Sequence, residues 1–87
     1  MMRVTRVTAR PGYRLEVEVE GGWTGVLDLT SELYGPVFEP LRDPELFNQA
    51  GLDDFGVICW PNGADLAPEF VYDEVRRQAD DSMHPAA

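Results

Sequence analysis

A strict alternation of apolar and polar residues runs through Tyr13-Arg14-Leu15-Glu16-Val17-Glu18-Val19-Glu20. Successive side chains of a β-strand lie on opposite faces, so this period of two predicts a strand with one buried face and one solvated face. Pro11-Gly12 before the stretch and Gly21-Gly22 after it are turn signals at hairpin positions. The pattern therefore predicts the middle strand of an antiparallel meander. Its predicted core residues are Tyr13, Leu15, Val17 and Val19.

The preceding residues predict a first strand that pairs with this one. Val4 and Val7 lie at odd spacing, which predicts a β-bulge near Thr5. A three-residue loop at 10–12 would place Ala9 opposite Tyr13, Val7 opposite Leu15 and Arg6 opposite Glu16. Opposite charges across strands are favourable, so we expect a ladder of ion pairs on the outer face.

Beyond the meander, the pattern predicts a third strand over 23–29 and a helical turn over 30–35. Asp43 as N-cap and Pro44 in the first turn predict a short helix that Gly51 ends. The apolar run 55–60 predicts a strand paired with the meander, and a last helix begins near Pro68. The predicted fold class is α+β: an antiparallel sheet of three to four strands, made by the N-terminal meander and a strand near 55–60, with two or three short helices. Residues 1–79 form the single predicted domain, and 80–87 a flexible tail.

The charge is strongly acidic and unevenly distributed. The chain of 87 residues has a net charge of −9, with seven arginines, no lysine and sixteen acidic residues. Residues 1–14 contain four arginines and no Asp or Glu. Phosphate contacts need a basic face, so we expect no nucleic-acid binding by this chain alone. The acid excess favours a protein partner with a basic surface. A homodimer is a further expectation.

The sequence offers little for catalysis or metal binding. Cys59 is the only cysteine and lies in the apolar run, which predicts a buried structural thiol; His84 is the only histidine and lies in the predicted tail. We therefore expect no catalytic residues, no metal site and no cofactor. No apolar run is long enough to span a membrane, and the N-terminal residues lack a signal-peptide pattern, so we expect a cytoplasmic protein without membrane attachment.

One segment, 60–72, combines aromatic, amide and carboxylate side chains. It can be interpreted in two ways. Either it is a structural strand-to-helix connection, with a buried tryptophan, a tight turn at Asn62-Gly63 and a capping aspartate, or its polar and aromatic groups surround a ligand or partner. The candidate binding residues are Trp60, Asn62, Gly63, Asp65, Glu69 and Tyr72.

Two stretches also resemble a known family. They are 35–47, which reads Gly-Pro-Val-Phe-Glu-Pro-Leu-Arg-Asp-Pro-Glu-Leu-Phe, and 60–69, which reads Trp-Pro-Asn-Gly-Ala-Asp-Leu-Ala-Pro-Glu, followed by Tyr72. Together they resemble the bacterial domain-of-unknown-function family DUF2442, over about Val4 to Val75. The resemblance implies a small α+β domain with a curved antiparallel sheet, and no established reaction. It further implies a gene that lies beside that of another small protein, as in toxin–antitoxin pairs.

These observations lead to two functional hypotheses. The first is a non-enzymatic protein-binding module, the antitoxin-like partner of a neighbouring small protein, because an acidic surface speeds association with a basic one. The second is a small-ligand-binding protein or a carboxylate-based enzyme that uses the segment from Trp60 to Glu69.

Overall fold

The computed structural model describes residues 3–83 and confirms the α+β class. Three strands form an antiparallel meander of order β1-β2-β3, and two short strands form a separate two-stranded antiparallel sheet, β4-β5. A one-turn helix α1 precedes the second sheet, a long helix α2 follows it, and two 3₁₀ turns lie between β3 and α1. The bounds are β1 Val4–Arg10, β2 Arg14–Val19, β3 Thr24–Asp28, 3₁₀ turns Thr30–Glu32 and Glu39–Arg42, α1 Pro44–Phe47, β4 Gly51–Leu52, β5 Ile58–Cys59 and α2 Pro68–Met83.

The predicted alternation of β2 is confirmed, but the predicted register of the first hairpin is wrong by two residues. Ala9 lies opposite Leu15 and Arg6 opposite Glu18, with the predicted bulge between Val4 and Arg6. The cause is the turn, which uses Pro11, Gly12 and Tyr13 and has positive φ angles of 81° at Gly12 and 59° at Tyr13. Tyr13 thereby leaves the strand.

Tyr13 is consequently placed to connect the meander to α1. Its ring packs edge-on against Phe47, with 5.5 Å between the ring centroids. Its hydroxyl donates a hydrogen bond to the carbonyl oxygen of Arg42. The side chain predicted to face the core as a strand residue therefore packs against the core from the turn.

The strand predicted over 55–60 is shorter than expected and pairs with β4 instead of the meander. The Asp53 carboxylate accepts hydrogen bonds from the backbone N–H groups of Phe55 and Val57, at 2.8 and 3.0 Å. An aspartate that bonds the following backbone in this way stabilises a turn. Residues 53–57 therefore form a turn, which leaves Phe55 77% exposed.

The helix predicted from Asp43 to Gly51 is confirmed only in its first turn. The Asp43 carboxylate caps it by accepting from the N–H of Glu45 at 3.0 Å. The hydrogen-bond pattern then changes to that of a 3₁₀ turn, because the N–H groups of Gln49 and Ala50 donate to carbonyls three residues earlier. Gly51 does not take the positive φ of a helix cap but opens β4.

The core lies between the inner face of the meander, α2 and the loops around α1. Within the part of the chain that the structure describes, every fully buried side chain is hydrophobic. Helix α2 packs against β3 and continues to Met83, three residues past the start of the predicted tail at Asp80; residues 84–87 lie outside the described residues. The core residues are Val4, Leu15, Val17, Val19, Leu27, Leu29, Leu33, Leu41, Phe47, Ile58, Trp60, Ala64, Leu66, Val71 and Val75.

Candidate functional site

Trp60 lies in the core and is only 4% exposed. Its indole Nε1–H donates to the carbonyl oxygen of Phe47 at 2.9 Å, and the two rings lie 5.9 Å apart. A buried indole needs a hydrogen-bond acceptor, and Trp60 has one inside the protein. Trp60 therefore joins the β5 region to the end of α1, as the structural interpretation of this segment expects.

Asn62 and Gly63 form the tight turn that follows. The Asn62 side chain donates through Nδ2 to the carbonyl of Val37 at 2.9 Å and accepts through Oδ1 from the N–H of Ala64 at 3.2 Å. Gly63 has a φ of 93°, a region in which side chains are strained. Both polar ends of the Asn62 amide are thus used to fasten the irregular segment around Val37 to the turn.

The two candidate carboxylates remain exposed. Asp65 forms an isolated antiparallel bridge with Cys59, so it lies before α2 and not at its cap position. Glu69 is in the first turn of α2, where an acidic side chain is favoured by the helix dipole. Cys59 itself is half-buried, less enclosed than the sequence predicted. Within residues 3–83, the structure contains no group of three or more side chains suited to hold a metal ion.

Tyr72 is separated from this turn and lines a different surface. It contributes to a groove of about 360 Å³ between α2 and the turn that joins β2 to β3. We call it the Trp23–Tyr72 groove; its lining residues are Val19, Trp23, Tyr72, Val75, Arg76, Ala79 and Asp80.

Trp23 is the feature of this groove that the sequence did not indicate as functional. It is 50% exposed, although the residues beside it in the groove include the buried Val19 and Val75. The turn before Trp23 positions its side chain. Gly21 and Gly22 have φ angles of 95° and 85°, and the indole packs so close to Gly21 that a Cβ there would lie 3.2 Å from Cδ1. In the sequence, Gly21-Gly22 predicted the turn, but it did not predict that Trp23 packs over this turn.

The outer face of the meander carries the expected ladder of ion pairs with the corrected partners. Arg6 pairs with Glu18 at 2.8 Å, and Arg10 pairs with Glu16 at 2.7 Å. A third, longer pair of 3.9 Å joins β2 and β3 at Arg14–Asp28. All are solvent-exposed, so each contributes little to the stability of the fold. Glu16 and Glu18 of this face therefore have ion-pair partners within the fold.

Asp28 also organises the chain that leaves the sheet. It accepts hydrogen bonds from the hydroxyl and the backbone N–H of Thr30, at 2.7 and 3.0 Å. These bonds, the hydroxyl first, and the charge of Arg14 lower the pKa of Asp28 below its ordinary value of 3.8. The shift reflects a structural role of Asp28, which orders the backbone where the chain enters the first 3₁₀ turn.

Comparison with known proteins gives a family and no activity. No helix among residues 3–83 has the length and hydrophobicity needed to cross a membrane. Searches of the curated proteins and of the solved structures gave no match. One family of proteins of unknown function matches residues 4–77, which span the meander, both strands of the two-stranded sheet and most of α2. The chain therefore belongs to the DUF2442 family.

Proposed function

We propose that the domain is a non-enzymatic protein-binding module and that the Trp23–Tyr72 groove is its contact surface. The observation that carries the proposal is the half-exposed Trp23 beside Tyr72 and Arg76 in one groove. Tryptophan, tyrosine and arginine are the residue types that dominate the binding energy of protein interfaces. They combine large contact area with polar groups that remain able to bond a partner.

The charge around the groove favours a partner with a basic surface. Helix α2 carries five carboxylates against two arginines, and Asp80 lies in the groove itself. On the outer face of the meander, Glu16, Glu18 and Asp28 pair with arginines, and on α2 Glu74 pairs with Arg77 at 2.6 Å, so α2 still carries an excess of acidic residues beside the groove. Complementary charge increases the association rate, and the effect falls with added salt.

The partner that we propose is the small protein encoded by the adjacent gene, to which this domain would bind as an antitoxin-like component. The direct test is co-purification of the two gene products, followed by measurement of the dissociation constant at low and high salt. Binding that weakens as salt rises supports a basic partner. Failure to form any complex at low salt would overturn the pairing.

Two variants locate the contact surface. Trp23→Ser removes the exposed aromatic of the groove, and a central tryptophan contributes about 2 kcal/mol or more, so binding should weaken about thirtyfold. Phe55→Ser is the matched control, because Phe55 is also exposed but lies in the 53–57 turn. Equal binding by Trp23→Ser and the unmodified protein would exclude the groove.

A further inference from the structure

The irregular segment 33–42 is fastened to the rest of the domain mainly by side chains. Within residues 3–83, the backbone–backbone hydrogen bonds of this segment all stay between residues 32 and 43. Two side chains from other parts of the fold bond to it: the Tyr13 hydroxyl donates to the carbonyl of Arg42, and Asn62 Nδ2 donates to the carbonyl of Val37 at 2.9 Å. Leu33 and Leu41 are buried near its two ends, whereas Val37 in its middle is 46% exposed. The Asn62 amide therefore holds the middle of the segment.

The residue that provides this bond is followed by glycine, and an Asn-Gly pair can react with itself. The backbone nitrogen of Gly63 attacks Cγ of Asn62, and glycine has no Cβ to obstruct the approach. A bond forms between this nitrogen and Cγ, the bond between Cγ and Nδ2 breaks, and the proton of the Gly63 nitrogen leaves with Nδ2 as ammonia. Water then opens the resulting succinimide ring at one of its two carbonyls. The product is aspartate or isoaspartate at position 62.

The folded turn restrains both reacting groups. The N–H of Gly63 donates to the carbonyl of Trp60 at 3.1 Å, so the attacking nitrogen is engaged in a hydrogen bond. The amide that it would attack is held at both ends, through Nδ2 at Val37 and through Oδ1, which accepts from the N–H of Ala64 at 3.2 Å. Asn62 and Gly63 are exposed, so water reaches them. The reaction therefore requires an opening of the turn and not a change of burial.

The product cannot restore the bond to the segment. An ionised carboxylate only accepts hydrogen bonds, and the carbonyl of Val37 also only accepts. Two acceptors would face each other where Nδ2 now donates at 2.9 Å. The isoaspartate product also lengthens the main chain of the turn. Because ammonia has left, the loss of the fastening bond is not reversed when the turn closes again.

We propose that Asn62 is a site of spontaneous deamidation and that the reaction releases the 33–42 segment irreversibly. Opening of the turn at 60–64 permits the reaction, and the carboxylate that results keeps the segment detached at Val37. The fold thus contains a one-way conformational switch that needs water and no enzyme. These residues lie outside the Trp23–Tyr72 groove, so the proposal does not depend on the proposed function.

The first test compares reaction rates at position 62. The full chain and a capped peptide Trp-Pro-Asn-Gly-Ala-Asp, the sequence of residues 60–65, are incubated at mildly alkaline pH, and the products are quantified by mass spectrometry. The folded chain should react at least about tenfold more slowly than the peptide, because only its locally opened state reacts. The chain unfolded in urea should react at the rate of the peptide. Equal rates in the folded chain and the peptide, or a complete absence of product in the folded chain, would overturn the proposal.

A second test asks whether the state that reacts is the one with the segment detached. Tyr13→Phe keeps the ring that packs on Phe47 but removes the other side-chain bond to the segment, at Arg42. Deamidation of Asn62 should then be about fivefold faster, the effect of one hydrogen bond. Tyr72→Phe removes a hydroxyl from α2 and is the matched control. Equal rates in the two variants would contradict the coupling between the segment and the turn.

The product itself can be imitated by Asn62→Asp. Amide hydrogen exchange within 33–42, and chymotrypsin cleavage after Tyr34 or Phe38, should be at least about fivefold faster than in the unmodified protein. Asn48→Asp adds the same charge at another exposed asparagine and should leave both rates unchanged. The amides of β2 should stay protected in both variants, which distinguishes release of the segment from unfolding of the domain. If Asn62→Asp protects the segment as well as Asn48→Asp does, or if it unfolds β2 together with the segment, the proposed switch is wrong.

Discussion

Gln78 of α2 bonds both backbone groups of Val26 in β3, through a side-chain amide that donates at one end and accepts at the other. A carboxamide has the same donor and acceptor as a peptide group, so this side chain replaces one unit of a missing strand. The relationship fixes α2 to the edge of the meander. The Trp23–Tyr72 groove lies along the same helix, lined by Tyr72, Val75 and Arg76 of α2.

Replacement of Gln78 should therefore destabilise the domain more than its half-exposed position suggests. Gln78→Ala removes two hydrogen bonds, and we expect a loss of about 1–2 kcal/mol in the free energy of unfolding, measured by urea denaturation. Gln78→Glu keeps an acceptor for the Val26 N–H but turns a carboxylate oxygen toward the Val26 carbonyl, where Nε2 now donates at 2.6 Å, so its loss should be at least as large. Asp73→Ala, on an exposed position of the same helix, is the control. A Gln78→Ala protein as stable as this control would show that the two bonds contribute nothing.

Gly25 is required by the close approach of α2 to β3. A Cβ at this position would lie 2.9 Å from Gln78 Oε1 and 3.2 Å from Val75 Cγ2. Gly25→Ala should therefore destabilise the protein by about 1–3 kcal/mol through overpacking. Gly51→Ala is the matched control, because no atom lies within 4 Å of the added Cβ and Gly51 has no positive φ. Equal stability of the two alanine variants in urea would contradict this close packing.

The two tryptophans should be distinguishable by fluorescence. Trp60 is buried with its indole bonded to Phe47, whereas Trp23 is half exposed. In a Trp23→Phe protein, the remaining emission should be blue-shifted and poorly quenched by iodide. In a Trp60→Phe protein, emission should be red-shifted and readily quenched. Ready quenching in the first variant would place Trp60 at the surface.

The hydrogen bonds from Thr30 to the Asp28 carboxylate make stability depend on pH in a defined direction. Because the folded-state pKa of Asp28 lies below 3.8, its ionised form contributes stability above that value, and the contribution is lost as pH falls through the folded-state pKa. Thr30→Val removes the hydroxyl bond and should raise the pKa of Asp28, measured by NMR titration of its carboxyl group. The backbone N–H of residue 30 keeps part of the shift. Thr24→Val, on the same sheet, should leave the pKa of Asp28 unchanged.

Local patterns predicted the elements whose order depends only on neighbouring residues. The alternation of β2, the bulge near Thr5 and the Asp43 cap are confirmed because each follows from side-chain periodicity or from a bond within a few residues. The hairpin register was missed because Tyr13 takes a positive φ, which is uncommon for a residue with a Cβ. The β5 pairing was missed because the Asp53 carboxylate ends the strand early with a turn.

In the candidate site, too, the sequence indicated local features but not the contacts between distant residues. The segment from Trp60 to Glu69 allowed two interpretations, because an aromatic residue has the same sequence signature whether it packs in the core or binds a partner. The acceptor at Phe47 that assigns Trp60 to the core lies thirteen residues away, and the carbonyl at Val37 that bonds Asn62 lies twenty-five residues away. Tyr72 belongs to a different surface, because the helix carries it toward Trp23.

The sequence by itself determined the α+β class, the meander with its basic first strand and acidic second strand, and membership of a family of unknown function. Only the tertiary structure decided which tryptophan is buried, which arginine pairs with which glutamate, and which side chain protects the β3 edge. The physical reason is the range of the interactions. Periodicity and capping act within a few residues, whereas burial, edge protection by Gln78 and the groove at Trp23 arise only when distant segments pack together.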